Sequence, residues 1–245
     1  MNKYREFLIK VSEIESKNEF DFTVISFVNY FLELENAMDS LIKSKNSIGM
    51  MYILRGKYEV FLQFRYLIEH YSDFDKCNQR AKCYLYFHLL QERDWYKKLD
   101  KKEDIKRLNE KILSYADIET EYKKAEKRSK YPSWFTLFDG PSNFAKLEEH
   151  LGHKNKENHL YALASQICHG KTIIRNMVYD IYDDIEVWKN ISDCLFSEFS
   201  AFLLPFAINH KIDVKDFAAY LITQIKDETE KANLQVQYTN WCKAL

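Results

Sequence analysis

Apolar residues recur every three or four positions along almost the whole chain, which is the pattern of amphipathic helices. The helix predicted over residues 47–71 is apolar on a wide arc, and this indicates burial on several sides. We therefore predict an all-α fold, a bundle of about eight to ten helices. The other helices that this spacing predicts cover about residues 2–18, 21–45, 76–99, 143–151, 156–181, 185–209 and 214–240.

Residues 97–130 depart from this pattern, because they hold 12 Lys or Arg and 8 Asp or Glu with few apolar side chains. Acids and bases at helical spacing are typical of a solvated helix or helical hairpin, here one that projects from the bundle. A surface that faces phosphate groups is the alternative, since basic side chains are in excess.

The stretch 131–142, YPSWFTLFDGPS, contains two of the three prolines and one of the five glycines. These residues interrupt helices, so we predict a loop here. The loop separates an N-terminal half, 1–130, from a C-terminal half, 143–245, of a single helical domain that spans residues 1–245. Pro205 should kink the last but one helix or end it early.

Composition excludes several classes of protein. Five glycines and three prolines are too few for the many turns of an all-β barrel or sandwich. The 46% of hydrophobic residues argues against disorder. A net charge of -1, from 36 basic and 37 acidic residues, is not that of a protein with a broad basic face for nucleic acid.

Cellular location follows from equally simple features. The chain contains no run of about 18 apolar residues, so we expect no membrane span and no membrane partner. Its first residues, MNKYREFLIK, mix charged and apolar side chains without a secretion signal. Five cysteines, with no pair at two-residue spacing, are typical of a reduced interior, and we expect a cytoplasmic protein.

Arg55 and Glu59 are four residues apart on an otherwise apolar helix, which is the first candidate for chemistry. Two opposite charges can share an apolar environment only when they are paired. Three interpretations are open: a buried ion pair between helices, an arginine that Glu59 orients toward an anionic ligand, and a plain exposed pair.

A polar stripe follows on the next helix, where Arg80, Tyr84, His88 and Gln91 recur at intervals of three and four residues. Most stripes of this kind face solvent, and this is the first interpretation. The alternative is that Arg80 and Tyr84 point into a polar pocket.

The segment YALASQICHG places Tyr161, Ser165 and His169 on one side of a predicted helix. A histidine there can act as an acid or base near neutral pH, or it can be a core residue with one hydrogen bond. Cys168 is no partner for His169, because adjacent helical residues point about 100° apart.

Metal and nucleotide-hydrolysis motifs are weak. The cluster EEHLGH, which includes His150 and His153, reads as surface more often than as a metal site. The chain has no glycine-rich phosphate loop. We expect neither a metal nor a cofactor.

The segments MYILRGKYEVFLQF, QRAKCYLYF and YALASQICHG together resemble a widespread bacterial family of helical proteins of unknown function. Its pattern is an Arg-x-x-x-Glu helix, a following arginine helix and a Tyr…Ser…His helix, over about residues 45–180 here. The resemblance implies that Arg55, Glu59, Arg80, Tyr161 and His169 form one set, but it implies no reaction.

Two short motifs also resemble HEPN domains, helical bundles found in toxin and antiviral ribonucleases. The sequence ASQICHG ends like their Arg-Asn-x-x-x-His-Gly motif, although Ala164 stands where the arginine would be. FRYLIEHY supplies Arg65, four residues and then His70. The resemblance implies metal-independent RNA cleavage in bacterial defence, with His169 acting on the ribose hydroxyl and Arg55 or Arg80 stabilising the phosphate charge.

Two functions follow as hypotheses. The first is a HEPN-like ribonuclease or effector that acts on RNA or a nucleotide. The second is a non-catalytic module that senses an anionic small molecule or a protein partner, including a second copy of the chain. The candidate catalytic residues are His169, Arg55, Arg80 and Glu59, and the candidate substrate-binding residues are Tyr84, Tyr161 and Ser165.

Overall fold

The structure is a computed structural model of the 245-residue chain, and it describes residues 3–129, 132–138, 140–153, 185–224 and 236. Within these ranges the regular structure is helical and contains no strand. The predicted all-α, multi-helix fold is therefore confirmed. The predicted helix over 156–181 lies outside the described residues.

The described helices follow the predicted order, but the first ends at Ser12 and not at about residue 18. A short 3-10 helix, Trp134–Thr136, interrupts the predicted loop. The α-helices are α1 (Lys3–Ser12), α2 (Glu19–Lys43), α3 (Ser47–Ile68), α4 (Phe74–Lys98), α5 (Lys102–Leu113), α6 (Ala116–Arg128), α7 (Phe144–His150), α8 (Ile185–Phe202), α9 (Leu204–Asn209) and α10 (Lys215–Gln224).

Contacts divide the chain into two compact units. The first unit comprises residues 1–15, 25–61 and 158–245, and the second comprises residues 16–24 and 62–157. The long helices α2 and α3 each contribute residues to both units.

Stacked aromatic rings build the core of the first unit. Phe31 of α2 stacks on Phe199 of α8 with ring centroids 4.1 Å apart, and Phe7 of α1 stacks on Phe217 of α10 at 4.0 Å. Trp188 of α8 is fully buried. Such ring pairs add to the hydrophobic free energy of burying large side chains, so they hold α1, α2, α8 and α10 together.

Helix α4 is the centre of the second unit, where α5, α6 and the 3-10 helix pack against it. The charged segment 97–130 contains the predicted pair of helices, but they pack along α4 and do not form the solvated projection that was expected. Its apolar stripe faces inward, since Leu108, Ile112 and Ile118 are buried. Its charges form exposed pairs such as Lys123–Glu119, at 2.6 Å. The amphipathic pattern of α5 and α6 explains why this segment lies along α4.

The predicted helix over 185–209 is interrupted near Pro205, as expected because proline has no backbone N–H to donate. Helix α8 ends at Phe202, and Pro205 lies in the first turn of α9. By length and composition alone, Ile185–Asn209 could cross a membrane, and 56% of its most apolar window is buried inside the protein. A core helix of a soluble protein has the same features, so the segment is weak evidence for a membrane span.

Candidate functional site

One face of α4 brings polar side chains to a pocket in the second unit. The helix begins after Asp73, whose carboxylate accepts a hydrogen bond from the backbone N–H of Lys76 at 3.1 Å. Positions three and four residues apart share a helix face, so Lys76, Gln79, Arg80 and Cys83 point the same way. All four line the pocket.

Arg80 is the most constrained of these side chains. Only 8% of the residue is exposed. Its guanidinium donates one hydrogen bond to the backbone oxygen of Tyr66 and another to Glu69 Oε2, at 3.0 Å. Its Cζ lies 3.7 Å from the centroid of the Tyr66 ring. These contacts fix the plane of the guanidinium, and the hydrogen bonds use two of its five N–H donors.

Glu69 joins Arg80 to two histidines. Its carboxylate lies 2.8 Å from His150 Nε2 and 3.4 Å from His70 Nε2. Burial acts to raise the pKa of this carboxyl, but hydrogen bonds from His150 and Arg80 outweigh burial and hold the pKa below its ordinary value. Glu69 is therefore an anion at neutral pH.

The pocket itself has a volume of about 320 Å³. We call it the Arg80 pocket. Among the described residues, no carboxylate lines it. Its described lining consists of Tyr66, His70, Lys76, Gln79, Arg80, Cys83, Trp134, Leu137, Phe138, Gly140, Pro141, Lys146 and His150. The lining thus combines three cationic side chains and two imidazoles with several aromatic rings.

Cys83 is the thiol in this lining, and its ionisation is suppressed. Burial raises its pKa to about 12. Because the thiolate is the nucleophilic form of cysteine, Cys83 is unreactive at neutral pH. The chemistry of the pocket rests on its cations and histidines.

A second cluster of charged residues lies in the core of the first unit. The ammonium of Lys57 donates hydrogen bonds to Glu35 and to the hydroxyl and backbone oxygens of Ser192. Lys57 is 0% exposed, and its Nζ lies 5.1 Å from the centroid of the Phe31 ring. Burial lowers the pKa of Lys57, and the Glu35 carboxylate partly offsets this. With its donors satisfied, this cluster is structural.

Arg55 and Glu59 do pair, within α3 and in the first unit. Arg55 Nε lies 2.9 Å from Glu59 Oε1, and the two side chains are 23% and 33% exposed. This is the spacing that the sequence predicts, but the bond joins two residues of one helix and is partly open to solvent. Lys57, which lies between these two residues in the sequence, is fully buried.

The stripe on α4 does not simply face solvent, because Arg80 is buried. Tyr84 lies against the ring of Trp134, with centroids 5.5 Å apart, and against His88, at 4.3 Å. Tyr84 does not line the Arg80 pocket, but it supports Trp134, which does. Burial lowers the pKa of His88, which favours its neutral form.

The remaining predicted residues, Tyr161, Ser165 and His169, lie outside the described residues. The expected convergence of His169 with the arginines on one cavity therefore stays a prediction.

The two residues of the HEPN-like motif FRYLIEHY have different partners in the structure. Arg65 contacts His153, whereas His70 contacts Glu69 and lines the Arg80 pocket. A ribonuclease dyad needs its arginine and histidine at one site. The described contacts of Arg65 and His70 do not place the two side chains on a common partner.

Sequence reasoning assigned neither of the two pocket lysines, Lys76 and Lys146, to a site, and it named His70 only in the comparison with HEPN domains. The cluster EEHLGH was expected at the surface, but Glu148 and His153 are buried, and His150 lines the pocket. The spacing of Lys146 and His150 could have indicated a shared site, because residues four apart lie on one face of α7. Within the described residues, no group of three or more His, Cys, Asp or Glu side chains is arranged to hold a metal ion.

No curated protein and no solved structure matches the chain. The resemblance to HEPN domains therefore stays a prediction. One family profile matches residues 21–180, and its description is "Family of unknown function (DUF5677)". The match includes the segment 45–180 on which the resemblance to an uncharacterised family rests. Because it spans more than half of the 245 residues, the chain belongs to DUF5677, a family of unknown function.

Proposed function

We propose that the protein binds a phosphate-bearing ligand in the Arg80 pocket. The observation that carries this proposal is the charge of the lining. Lys76, Arg80 and Lys146 line a cavity of about 320 Å³ together with His70 and His150, and no carboxylate is among the described lining residues. A phosphate matches such a set, because guanidinium and ammonium groups make strong, charge-assisted hydrogen bonds to phosphate oxygens.

Preorganisation supports the same ligand. The ring of Tyr66 and the carboxylate of Glu69 hold the Arg80 guanidinium before any ligand arrives. Less side-chain entropy is then lost on binding. Lys146 pairs with Glu149 at 2.8 Å, but both side chains are exposed, at 59% and 42%. Exposed pairs of this kind contribute little, so Lys146 can exchange its partner for a phosphate.

Ribose 5-phosphate, titrated in a calorimeter, tests the proposal. We expect the double variant Lys76→Ala/Lys146→Ala to bind this phosphomonoester about tenfold more weakly than wild type, because two exposed cations are removed. Binding to wild type should also weaken with added salt, which screens exposed charges.

The matched control is Lys127→Ala, which removes an exposed lysine of α6 that does not line the pocket. This variant should bind ribose 5-phosphate like wild type. Equal weakening by the control would mean that general surface charge, and not the pocket, binds the anion. Absence of binding to wild type at millimolar ligand would refute the proposed function.

A second candidate function is metal-independent cleavage of RNA, which the two imidazoles of the pocket favour. Burial, and then the cations Arg80 and Lys76, lower the pKa of His70, so its neutral ring can accept a proton at pH 7. As this base removes the 2′-hydroxyl proton, a bond forms from the 2′-oxygen to phosphorus. The bond from phosphorus to the 5′-oxygen breaks, and the leaving oxygen takes a proton from His150, the second imidazole of the pocket.

Arg80 would stabilise the charge that develops on the phosphate in this reaction. His169, expected from sequence to be the catalytic histidine, lies outside the described residues. The role in bacterial defence that the HEPN resemblance implies stays a prediction, as does the cytoplasmic location expected from the cysteines. RNA or a nucleotide would be the partner in that role, and a protein partner or second copy stays open to experiment.

Cleavage of a short single-stranded RNA, resolved on a gel, tests this candidate. We expect His70→Ala and His150→Ala each to slow cleavage by about a hundredfold to ten-thousandfold, the usual effect of losing positioned proton transfer. Because His70 is active when neutral, the rate with wild type should rise with pH through a pKa below 6.5. His169→Ala distinguishes the two sites: if it alone removes activity, catalysis lies away from the Arg80 pocket.

A further inference from the structure

One aromatic residue that lines the Arg80 pocket has an unfavourable backbone conformation. Phe138 lines the pocket, has a φ of 50° and is 36% exposed. Bulky residues rarely adopt positive φ, whereas glycine and asparagine do so readily. Phe138 is therefore a large, partly exposed apolar residue at a position where a small residue would be less strained.

The surrounding turn fixes the position of this ring. The backbone N–H of Gly140 donates to the carbonyl of Leu137 at 3.1 Å and closes the turn. A Cβ at residue 140 would lie 2.0 Å from the carbonyl oxygen of Phe135 and 2.6 Å from Tyr66 Oη, so only glycine fits. Trp134 anchors the same segment, because its Nε1 donates to Gln63 Oε1 at 2.8 Å. The segment is held against the pocket, and Phe138 stays partly exposed.

From this arrangement we infer that the ligand of the Arg80 pocket is a nucleotide, whose base stacks on Phe138 while its phosphate binds Arg80, Lys76 and Lys146. The inference rests on the proposed function and names its ligand class. An exposed ring beside a cationic cavity is the combination with which proteins bind nucleotides without reading the base, since each base has a stacking face. A cavity of about 320 Å³ is at the low end for ligand sites and suits one nucleotide.

The test compares adenosine 5′-monophosphate with ribose 5-phosphate, which lacks only the base. Wild type should bind the nucleotide about tenfold more tightly, the effect of one stacked base. Phe138→Gly should remove this difference, so that the variant binds the two compounds with equal affinity. Phe138→Gly relieves the positive φ but loses partly buried apolar surface and adds unfolded-state entropy, so its melting temperature is measured and binding is compared where both proteins are folded.

Two controls complete the design. Phe138→Tyr keeps a stacking ring and should keep the preference for adenosine 5′-monophosphate. Trp95→Ala removes an exposed ring of α4, 59% exposed, that does not line the pocket, and it should change neither affinity.

A 5′-phosphorylated trinucleotide identifies the source of the nucleotide. Tighter binding than the free monophosphate assigns the site to the end of a nucleic acid chain, and equal or weaker binding assigns it to the free nucleotide.

The outcomes separate the two proposals. Equal affinity of wild type for adenosine 5′-monophosphate and ribose 5-phosphate overturns the nucleotide inference and leaves the phosphate site standing. A preference that survives in Phe138→Gly also overturns it, because the base then stacks elsewhere. If neither compound binds wild type, the proposed function fails as well.

Discussion

Glu35→Ala should lower the free energy of unfolding by about 3–5 kcal/mol, because it leaves the buried ammonium of Lys57 without its counter-ion. Lys57 is fully buried, and among the described residues only Ser192 would then accept hydrogen bonds from it. Urea denaturation at pH 7 measures the loss. The matched control, Glu33→Ala, removes an exposed glutamate of the same helix and should change stability by less than about 0.5 kcal/mol.

Two further measurements separate charge from packing at this cluster. Lys57→Met combined with Glu35→Leu should recover most of the lost stability, since it replaces both charges by apolar groups of similar size. The loss in Glu35→Ala should also shrink between pH 7 and pH 10. Burial holds the pKa of Lys57 below its ordinary 10.5, and loss of Glu35 lowers it further, so the unfolded chain binds more protons and the stability of the variant rises with pH more than that of wild type. A loss that is independent of pH would show that Lys57 is not stranded as an ion.

Arg80→Ala should weaken the binding of ribose 5-phosphate in the Arg80 pocket by at least about a hundredfold relative to wild type. Two charge-assisted hydrogen bonds to the phosphate account for this factor. The same change should destabilise the protein by about 2–4 kcal/mol, because the buried carbonyl of Tyr66 loses its donor. Calorimetry and urea denaturation measure the two effects.

Arg80→Lys and Arg107→Ala make this prediction specific. Lysine keeps the charge at position 80 but loses the planar group that lies over Tyr66 and bonds Glu69, so binding should remain clearly weaker than in wild type. Arg107 is an exposed arginine of α5 that does not line the pocket, and Arg107→Ala should have no effect on either measurement. Wild-type affinity in a folded Arg80→Ala protein would exclude Arg80 from the site.

Helical periodicity and the scarcity of glycine and proline were enough to predict the all-α fold. They also located the irregular segment 131–142 and the break near Pro205, because proline and glycine act locally. How the charged segment 97–130 packs depends on tertiary contacts. Its buried apolar positions are only four, two in α5 that are four residues apart and two in α6 that are seven residues apart, and they face α4 only in the folded chain.

The candidate site was harder to predict, since its residues come together only in the folded chain. Arg80 was recognised from its place on a polar stripe. His70 and His150 are far apart in sequence, and both contact Glu69, which no local pattern indicated. The burial of Lys57 could have been predicted, since it lies three residues after Leu54 and four before Phe61, in the apolar stripe of α3. A lone charge at such a position indicates a buried, paired cation.

A crystal structure of the protein with ribose 5-phosphate tests the assignment of the site most directly. We predict phosphate oxygens about 2.7–3.2 Å from nitrogen atoms of the Arg80 guanidinium and of at least one of Lys76 and Lys146. A phosphate bound elsewhere on the protein, with only solvent in the Arg80 pocket, would contradict the assignment.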